Sequence, residues 1–275
     1  MNQVQLVNSF LSFLDTTKQP TSLKFLNELI KAHQEKIKWE TLTKIIDWEK
    51  GNETGNYFPS IETYINRITT KGLGGTCWTH SIGFHWLLSN LGFDVHYMYM
   101  DPGHLCLRVN LDQPYYVDVG YCAPLFKAYP LYESFQVSNV RETFTYEVSN
   151  NRIKIARNPG PAKILHTDPI HLSSMKELIT KSNDWHTSPV LKKIQIFGYI
   201  DGIPTSINNN VLKRYFQGKK REHIITSSEL NYWITERFCV DKEIYERAIE
   251  IFNEKSSNSK SVLTELSNAF TLIYF

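Results

Sequence analysis

The chain has 275 residues, 41% of them hydrophobic, 21% charged and 13% aromatic, and a formal net charge of +2. That balance excludes a disordered segment, which carries fewer aromatics and more net charge, and gives no basic stripe of the kind that marks nucleic-acid binders. No apolar run approaches the ~18 residues of a membrane-crossing helix, and Met1 to Val7 lack the basic start and small-residue cleavage site of a signal peptide. A cytoplasmic location is the expectation, and the mild positive balance leaves room for an anionic small ligand.

In chain order, the first third reads as helical. Val4, Leu6, Val7, Phe10, Leu11 and Leu14 recur with a period of about 3.6, and Pro20 closes that segment. Thr21 or Ser22 is placed to cap a second helix through Leu23, Leu26, Leu29, Ile30 and His33, and Ser60 a further one through Ile61, Tyr64, Ile65 and Ile68. Gly72, Gly74 and Gly75 break the pattern before an amphipathic run from Cys77 to Gly92, where glycine suits the turn after a helix.

From Phe93 the period becomes two. Phe93, Val95, Tyr97 and Tyr99 form one strand; Leu105, Leu107 and Val109 alternate with His104, Cys106 and Arg108; Tyr115, Val117 and Val119 alternate with Tyr116 and Asp118. Residues 144–148 and 153–155 flank Asn150-Asn151 as a hairpin. A short helix is expected at 173–180, strands at 194–199 and 211–216, a helix behind the Thr226/Glu229 capping box and another behind Asp241. Helices, then strands, then a mixture point to an α+β fold with sequential subdomains.

Four cysteines (Cys77, Cys106, Cys122 and Cys239) are too few for a disulfide framework. Cys77 stands apart because a glycine-rich turn delivers it to a helix start. Free N–H groups and the helix dipole there stabilise a thiolate, and the same N–H groups suit an oxyanion. A thiolate nucleophile needs a base and an orienting acid. The turn Asp101-Pro102-Gly103 delivers His104 to a strand, and Asp118 lies in the next one. If Asn110 faces Pro114 across a three-residue loop, His104 and Asp118 are diagonal neighbours on the sheet face opposite Leu105, Leu107, Val117 and Val119. A loop of two or four residues puts them on opposite faces unless a bulge intervenes. A competing reading groups Cys77, His80, His104 and Cys106 as a zinc site. Lys213, Arg214, Lys219, Lys220 and Arg221 form a basic cluster near Gly218, either a solvated face or a phosphate contact.

Three motifs in order, Gly74-Gly75-Thr76-Cys77, His104-Leu105-Cys106-Leu107-Arg108-Val109 and Tyr116-Val117-Asp118-Val119-Gly120-Tyr121, resemble those of the arylamine N-acetyltransferases: Arg-Gly-Gly-x-Cys, His-Leu-x-Leu-x-Val and Val-Asp-Val-Gly-Phe. Ile37-Lys38-Trp39-Glu40-Thr41-Leu42, Ala123-Pro124-Leu125, Pro130-Leu131, His186-Thr187-Ser188-Pro189-Val190 and Glu236-Arg237-Phe238 extend the resemblance to about Asp241. It implies a helical domain at 1–92, an antiparallel β-barrel-like domain at 93–190 and an α/β lid at 191–275, around a cysteine-protease-like Cys-His-Asp core. It also implies Cys77 as acyl-accepting nucleophile, His104 as base and Asp118 as orienter, with no tightly bound cofactor and no metal. Acetyl-CoA is the implied co-substrate and an arylamine, arylhydrazine or N-hydroxyarylamine the acceptor, with a place in xenobiotic metabolism. On charge and region, Lys213, Arg214, Lys219 and Lys220 are candidates for the CoA phosphates. Trp39, Trp78, Tyr121, Phe126 and Tyr129 are candidates for an aromatic acceptor pocket. The chain departs from the family pattern at Leu73 (arginine), Thr79 (glutamate or glutamine), Ser81 (asparagine), Tyr121 (phenylalanine) and Cys122 (glycine). The alternatives are a papain- or transglutaminase-like cysteine hydrolase and a non-catalytic CoA-binding paralogue.

Overall fold

Short polar side chains fix the helix starts. In the computed structural model, which describes residues 1–150 and 152–271 with side chains to Ser257, α1 (Gln3–Phe13) begins behind a reciprocal Asn2/Gln5 capping box. α2 (Leu23–Lys36) begins behind Ser22, whose hydroxyl accepts from the Phe25 N–H. A two-residue strand β1 (Trp39–Glu40) and α3 (Leu42–Thr54) follow, then α4 (Ile61–Thr70) behind Ser60 and α5 (Cys77–Leu91), closed by left-handed Gly92. The sequence reading left β1 and α3 unassigned. Thr41 makes no side-chain cap bond, and the apolar positions of α3 stop at Trp48, so its last turn and a half is polar.

The middle of the chain is one antiparallel sheet of eight strands: β2 (Asp94–Asp101), β3 (His104–Asn110), β4 (Pro114–Val117), β5 (Tyr129–Pro130), β6 (Phe135–Ser138), β7 (Thr143–Ser149), β8 (Arg152–Asn158) and β9 (Ala162–Ile170). Its order is β5-β4-β3-β2-β9-β8-β7-β6. The sheet curls until its two edges nearly meet: Tyr129 of β5 stacks on Phe135 of β6 with ring centroids 3.9 Å apart. The result is the barrel-like form expected. Met98, Met100, Cys106, Tyr116, Phe144, Tyr146 and Ile155 fill the inside. Leu107, Val109, Tyr115 and Val117, on the alternate positions, pack outward on α1, α2, α4 and α5.

A second sheet, order β1-β10-β11-β12-β13, follows the short helix α6 (Lys176–Ser182). Its strands are β10 (Gln195–Ile200), β11 (Ile203–Asn208), β12 (Val211–Phe216) and β13 (Lys219–Ile224). Asp201-Gly202 and Gln217-Gly218 both take positive φ, as tight two-residue hairpin turns demand. α7 (Ser227–Tyr232) starts at the Thr226/Glu229 capping box, and α8 (Lys242–Thr271) is the last element of the described residues. The core beneath this sheet joins Leu42, Ile45 and Trp48 of α3 to Ile196, Ile207, Leu212, Phe238 and Ile251. We propose the division 1–92, 93–190 and 191–275 as the units of the chain, with α3 reaching from the first into the core of the third.

Two histidines are sealed inside the helical part. The His33 and His80 rings lie 5.2 Å apart, and burial holds His80 down at about 4 and His33 well below its ordinary value. The unfolded chain binds protons at these positions below about 6.5 and the folded chain does not, so stability falls as pH drops through that window. His80 alone is expected to cost about 2 kcal/mol between pH 6.5 and 5, above the carboxylate range. Urea midpoints measured at the two pH values test this, and equal midpoints would contradict it.

Candidate active site

The β3–β4 hairpin has the three-residue loop that the parity argument required: Asn110 pairs with Pro114. The ladder ends at Leu107–Val117, one residue short of Asp118. The expected strand through Val119 is therefore cut short, because Asp118 turns its carboxylate onto its own backbone. Oδ1 accepts from the N–H of Gly120 at 2.9 Å and of Tyr121 at 3.2 Å, while Oδ2 accepts from His104 Nε2 and from the Tyr116 hydroxyl at 2.8 and 2.7 Å. Gln34 holds the outer side of this turn, its amide donating to the carbonyls of Asp118 and Tyr121. His104 and Asp118 are both buried, at 3% and 2% exposure.

Cys77 is the first residue of α5 and hydrogen-bonds His104. Thr76 makes no side-chain cap bond, which leaves the first-turn N–H groups free of a local acceptor. Burial pushes the Cys77 thiol up, but the hydrogen bond and positive charge of His104 outweigh it and the thiol ends below its ordinary value. Burial also pulls the His104 imidazolium down, but the charge and hydrogen bond of Asp118 override it and place His104 at about 9. Both shifts favour a thiolate beside an imidazolium over the neutral pair. The other buried thiols lack such a partner: burial raises Cys106 far above its ordinary value and Cys122 to about 12. Brief, limiting iodoacetamide at pH 7 is expected to alkylate Cys77 well before Cys106 or Cys122. Peptide mass spectrometry reads the order, and first labelling of either of the others would refute it.

The glycines around Cys77 serve close approach. A Cβ on Gly120 would lie 2.9 Å from Cys77 Cβ, and one on Gly74 2.2 Å from the Lys38 carbonyl oxygen. The Gly75 carbonyl accepts from the Glu40 N–H and also contacts His80 Nε2 at 2.9 Å. Where the family pattern has arginine, Leu73 is buried in the core beneath the second sheet. Glu40 is held by Thr43, whose N–H and hydroxyl donate to it at 2.8 and 2.7 Å. Ser81 donates to the Leu105 carbonyl at 2.8 Å, which ties α5 to β3.

Cys77 and His104 open into a cavity of about 400 Å³ between the two sheets. Its other walls include Trp39, Tyr121, Cys122, Phe197 and Tyr215, with Arg141, Arg157, Asn208 and Lys213 as its polar groups. Tyr121 lies flat on His104, with centroids 3.8 Å apart, and the Arg157 guanidinium sits 4.7 Å above the other side of the Tyr121 ring. Of the five aromatic residues expected here, Trp39 and Tyr121 are present. Trp78 stacks on Phe58 and donates to the Gly103 carbonyl, Tyr129 closes the barrel seam, and Phe126 lines a separate surface hollow near Lys127. Alternation splits the basic cluster as well. Lys213 faces the cavity, whereas Arg214 on the opposite face of β12 joins Arg221 and Trp233 around a different cleft. Lys219 and Lys220 are exposed on β13 away from the cavity, and Lys220 is paired with Glu222. The zinc reading fails because Cys106 bonds the Met98 carbonyl and His80 is engaged at Gly75. Among the described residues no cluster of His, Cys, Asp and Glu is arranged for a metal ion. Arg141, Arg157, Tyr116 and Gln34 were not singled out in the sequence. The cavity and hydrogen bonds reveal them, and no local pattern marks them.

A helical segment, a barrel-like sheet and a covering sheet close on a Cys-His-Asp array, the arrangement of a thiol-dependent acyltransferase or hydrolase. A family model described as N-acetyltransferase matches residues 22–242, and the chain belongs to that family, in agreement with the arylamine N-acetyltransferase motifs. Its fold is similar to the arylamine N-acetyltransferase of Mycobacterium abscessus (TM-score 0.74, 16% identity, covering 90% of this chain and 94% of that one). It is also similar to that of Mycobacterium marinum in complex with CoA (0.71, 15%, 88% and 98%). A Bacillus cereus arylamine N-acetyltransferase, whose triad is described as Cys-His-Glu, is alike to the same degree (0.70, 15%, 87% and 99%). At these identities the likeness is one of fold. No curated protein sequence matches the chain. Among the described residues no helix is long and apolar enough to cross a membrane.

Proposed function

We propose that the protein moves an acetyl group from acetyl-CoA to an aromatic amine through an acetyl-cysteine intermediate. One observation carries this reading: Cys77, bonded to His104 and through it to Asp118, opens onto a cavity with aromatic walls. The Cys77 thiolate adds to the thioester carbonyl, and the tetrahedral intermediate collapses with loss of the CoA thiolate, which takes its proton from His104. The amine then adds to the acetyl-cysteine, gives its proton to His104 and releases Cys77 as thiolate. Asp118 keeps the imidazole oriented and its cation stabilised in both halves. An arylamine, arylhydrazine or N-hydroxyarylamine is neutral at pH 7 and enters an apolar slot without the desolvation cost of an alkylammonium.

Of the basic residues, Lys213 is the one we assign to the acetyl-CoA path. A cytoplasmic location, with foreign aromatic amines among the acceptors, fits four unpaired cysteines. The test is intact-mass analysis after acetyl-CoA alone, followed by addition of an aniline. The expected result is a gain of one acetyl group on Cys77 that the aniline removes as the anilide. Release of acetate at the same rate with and without amine would instead mean a hydrolase.

A further inference from the structure

The basic cluster of the last hairpin stands apart from the chemistry at Cys77. Strand parity divides it: Lys213 faces the catalytic cavity, while Arg214 and Phe216 of β12 share the other face of the sheet with Lys219, Arg221 and His223 of β13. On that face Arg214 pairs directly with Arg221 across the ladder. Like charges placed opposite each other work against the pairing of their strands, and here no carboxylate relieves them. Glu222 lies on the opposite face with Lys213 and Lys220, and Glu229, whose charge reaches His223, is held by the N–H and hydroxyl of Thr226. Neither arginine has an ion pair among the described residues, and Arg214 Nε is buried without a hydrogen-bond partner. Both guanidiniums are held against rings instead. Arg214 lies 5.5 Å from the centre of Trp233, a ring that also carries Arg237 at 5.6 Å, and Arg221 lies 5.8 Å from the centre of Phe216. Arg237 is neutralised by Asp201; the other two are not. Arg214, Arg221, His223, Phe216 and Trp233 wall a cleft of about 430 Å³, a volume suited to a small molecule.

We propose that this cleft is a second ligand site, which takes the phosphomonoester dianion of a small molecule other than the acetyl donor. Arg214 and Arg221 offer forked N–H donors from two adjacent strands. A phosphomonoester brings three acceptor oxygens and a charge of about −1.5 to −2 at neutral pH. One such group meets both cations and removes their repulsion. A carboxylate, with one charge and two oxygens, leaves one cation unbalanced. The ring contacts restrain the guanidinium planes before the anion arrives, so less side-chain freedom is lost on binding. The cleft is separate from the catalytic cavity: the two share no lining residue, and their walls on β12 are alternate residues on opposite faces of the strand. An anion bound there takes no part in acetyl transfer, so the site stands whether or not Cys77 accepts an acetyl group.

The probe is phenyl phosphate, titrated calorimetrically into the full chain at neutral pH and low salt, with benzoate as the singly charged comparison. The wild type is expected to bind phenyl phosphate at least about tenfold more tightly than benzoate. Arg221→Gln is expected to weaken phenyl phosphate by about 10- to 100-fold, Arg221→Lys by less, and Lys213→Gln hardly at all. Urea unfolding adds a readout of opposite sign. Without phosphate, Arg221→Gln is expected to unfold at a higher midpoint than the wild type, because the repulsion with Arg214 is gone. With saturating phenyl phosphate the order reverses, because binding to the folded state stabilises the wild type. Absence of phenyl phosphate binding at millimolar concentration overturns the proposal, and equal affinity for benzoate overturns the phosphomonoester class. Binding that Lys213→Gln removes and Arg221→Gln leaves intact places the anion in the catalytic cavity and also overturns it. So does a rise in KM for acetyl-CoA but not for acetyl-dephospho-CoA in Arg221→Gln, which assigns the cation to the 3′-phosphate of the donor.

Discussion

Asp118→Asn is expected to reduce kcat by about four powers of ten while the protein stays folded. The carboxylate accepts four hydrogen bonds, two from the backbone at Oδ1 and two from His104 and Tyr116 at Oδ2. An asparagine keeps the first pair by leaving its oxygen at Oδ1. Its NH₂ then replaces Oδ2, where both neighbours need an acceptor. His104 can meet that NH₂ only as the tautomer with Nε2 unprotonated and the hydrogen on Nδ1, the nitrogen left for Cys77. In that form it cannot take a proton from the thiol, and the imidazolium loses the carboxylate charge that held His104 at about 9. The Tyr116 hydroxyl, buried without an acceptor, costs a further 1–3 kcal/mol or so of stability. Pre-steady-state CoA release against a thermal melt separates the two effects, and near-normal turnover would remove Asp118 from the mechanism.

Gly120→Ala is expected to cost about a hundredfold in kcat/KM for acetyl-CoA, through one methyl group. The added Cβ would sit 2.9 Å from Cys77 Cβ and 3.0 Å from both its Cα and its carbonyl oxygen. The turn cannot retreat easily, because Asp118 holds the Gly120 N–H and Gln34 holds the carbonyls on either side. The nucleophile must therefore move, and displacement of a reacting atom by about 1 Å carries a cost of that order. Parallel slowing of iodoacetamide alkylation at Cys77 would locate the effect in the nucleophile. Unchanged kinetics would show that the turn yields after all.

The triad was legible because its determinants are local. A glycine turn before a helix, a histidine opening a strand and a three-residue loop are short-range features, and strand parity turned them into a common face. The acceptor wall was not legible, since nearness in sequence does not decide which side of a strand a residue faces. Tyr129 and Tyr121 lie eight residues apart, yet one closes the barrel seam and the other covers His104. The basic cluster failed for the same reason, with Lys213 and Arg214 adjacent in β12 on opposite faces. β9 and β13 escaped notice because one carries Asp168 and Pro169 and the other is a run of charged residues, and both owe their strand form to the ladder beside them. Arg141 meets Phe197 from a distant part of the chain, a contact that no window of sequence contains.

The shortest strand has a consequence for how the molecule assembles. Trp39 pairs with Phe197 and Glu40 with Ile196, and Glu40 also donates to the Gly75 carbonyl, two residues before the nucleophile. The segment that shapes the reactive end of α5 is thus completed by chain that is synthesised more than a hundred residues later. Closing so long a loop is entropically unfavourable until the intervening sheet has formed, and pairings of this separation come late in folding. The β-hairpins have local partners and can form first. The thiol is therefore expected to gain its heightened reactivity only in the final step of folding, so that labelling of Cys77 during refolding lags behind the recovery of helical signal.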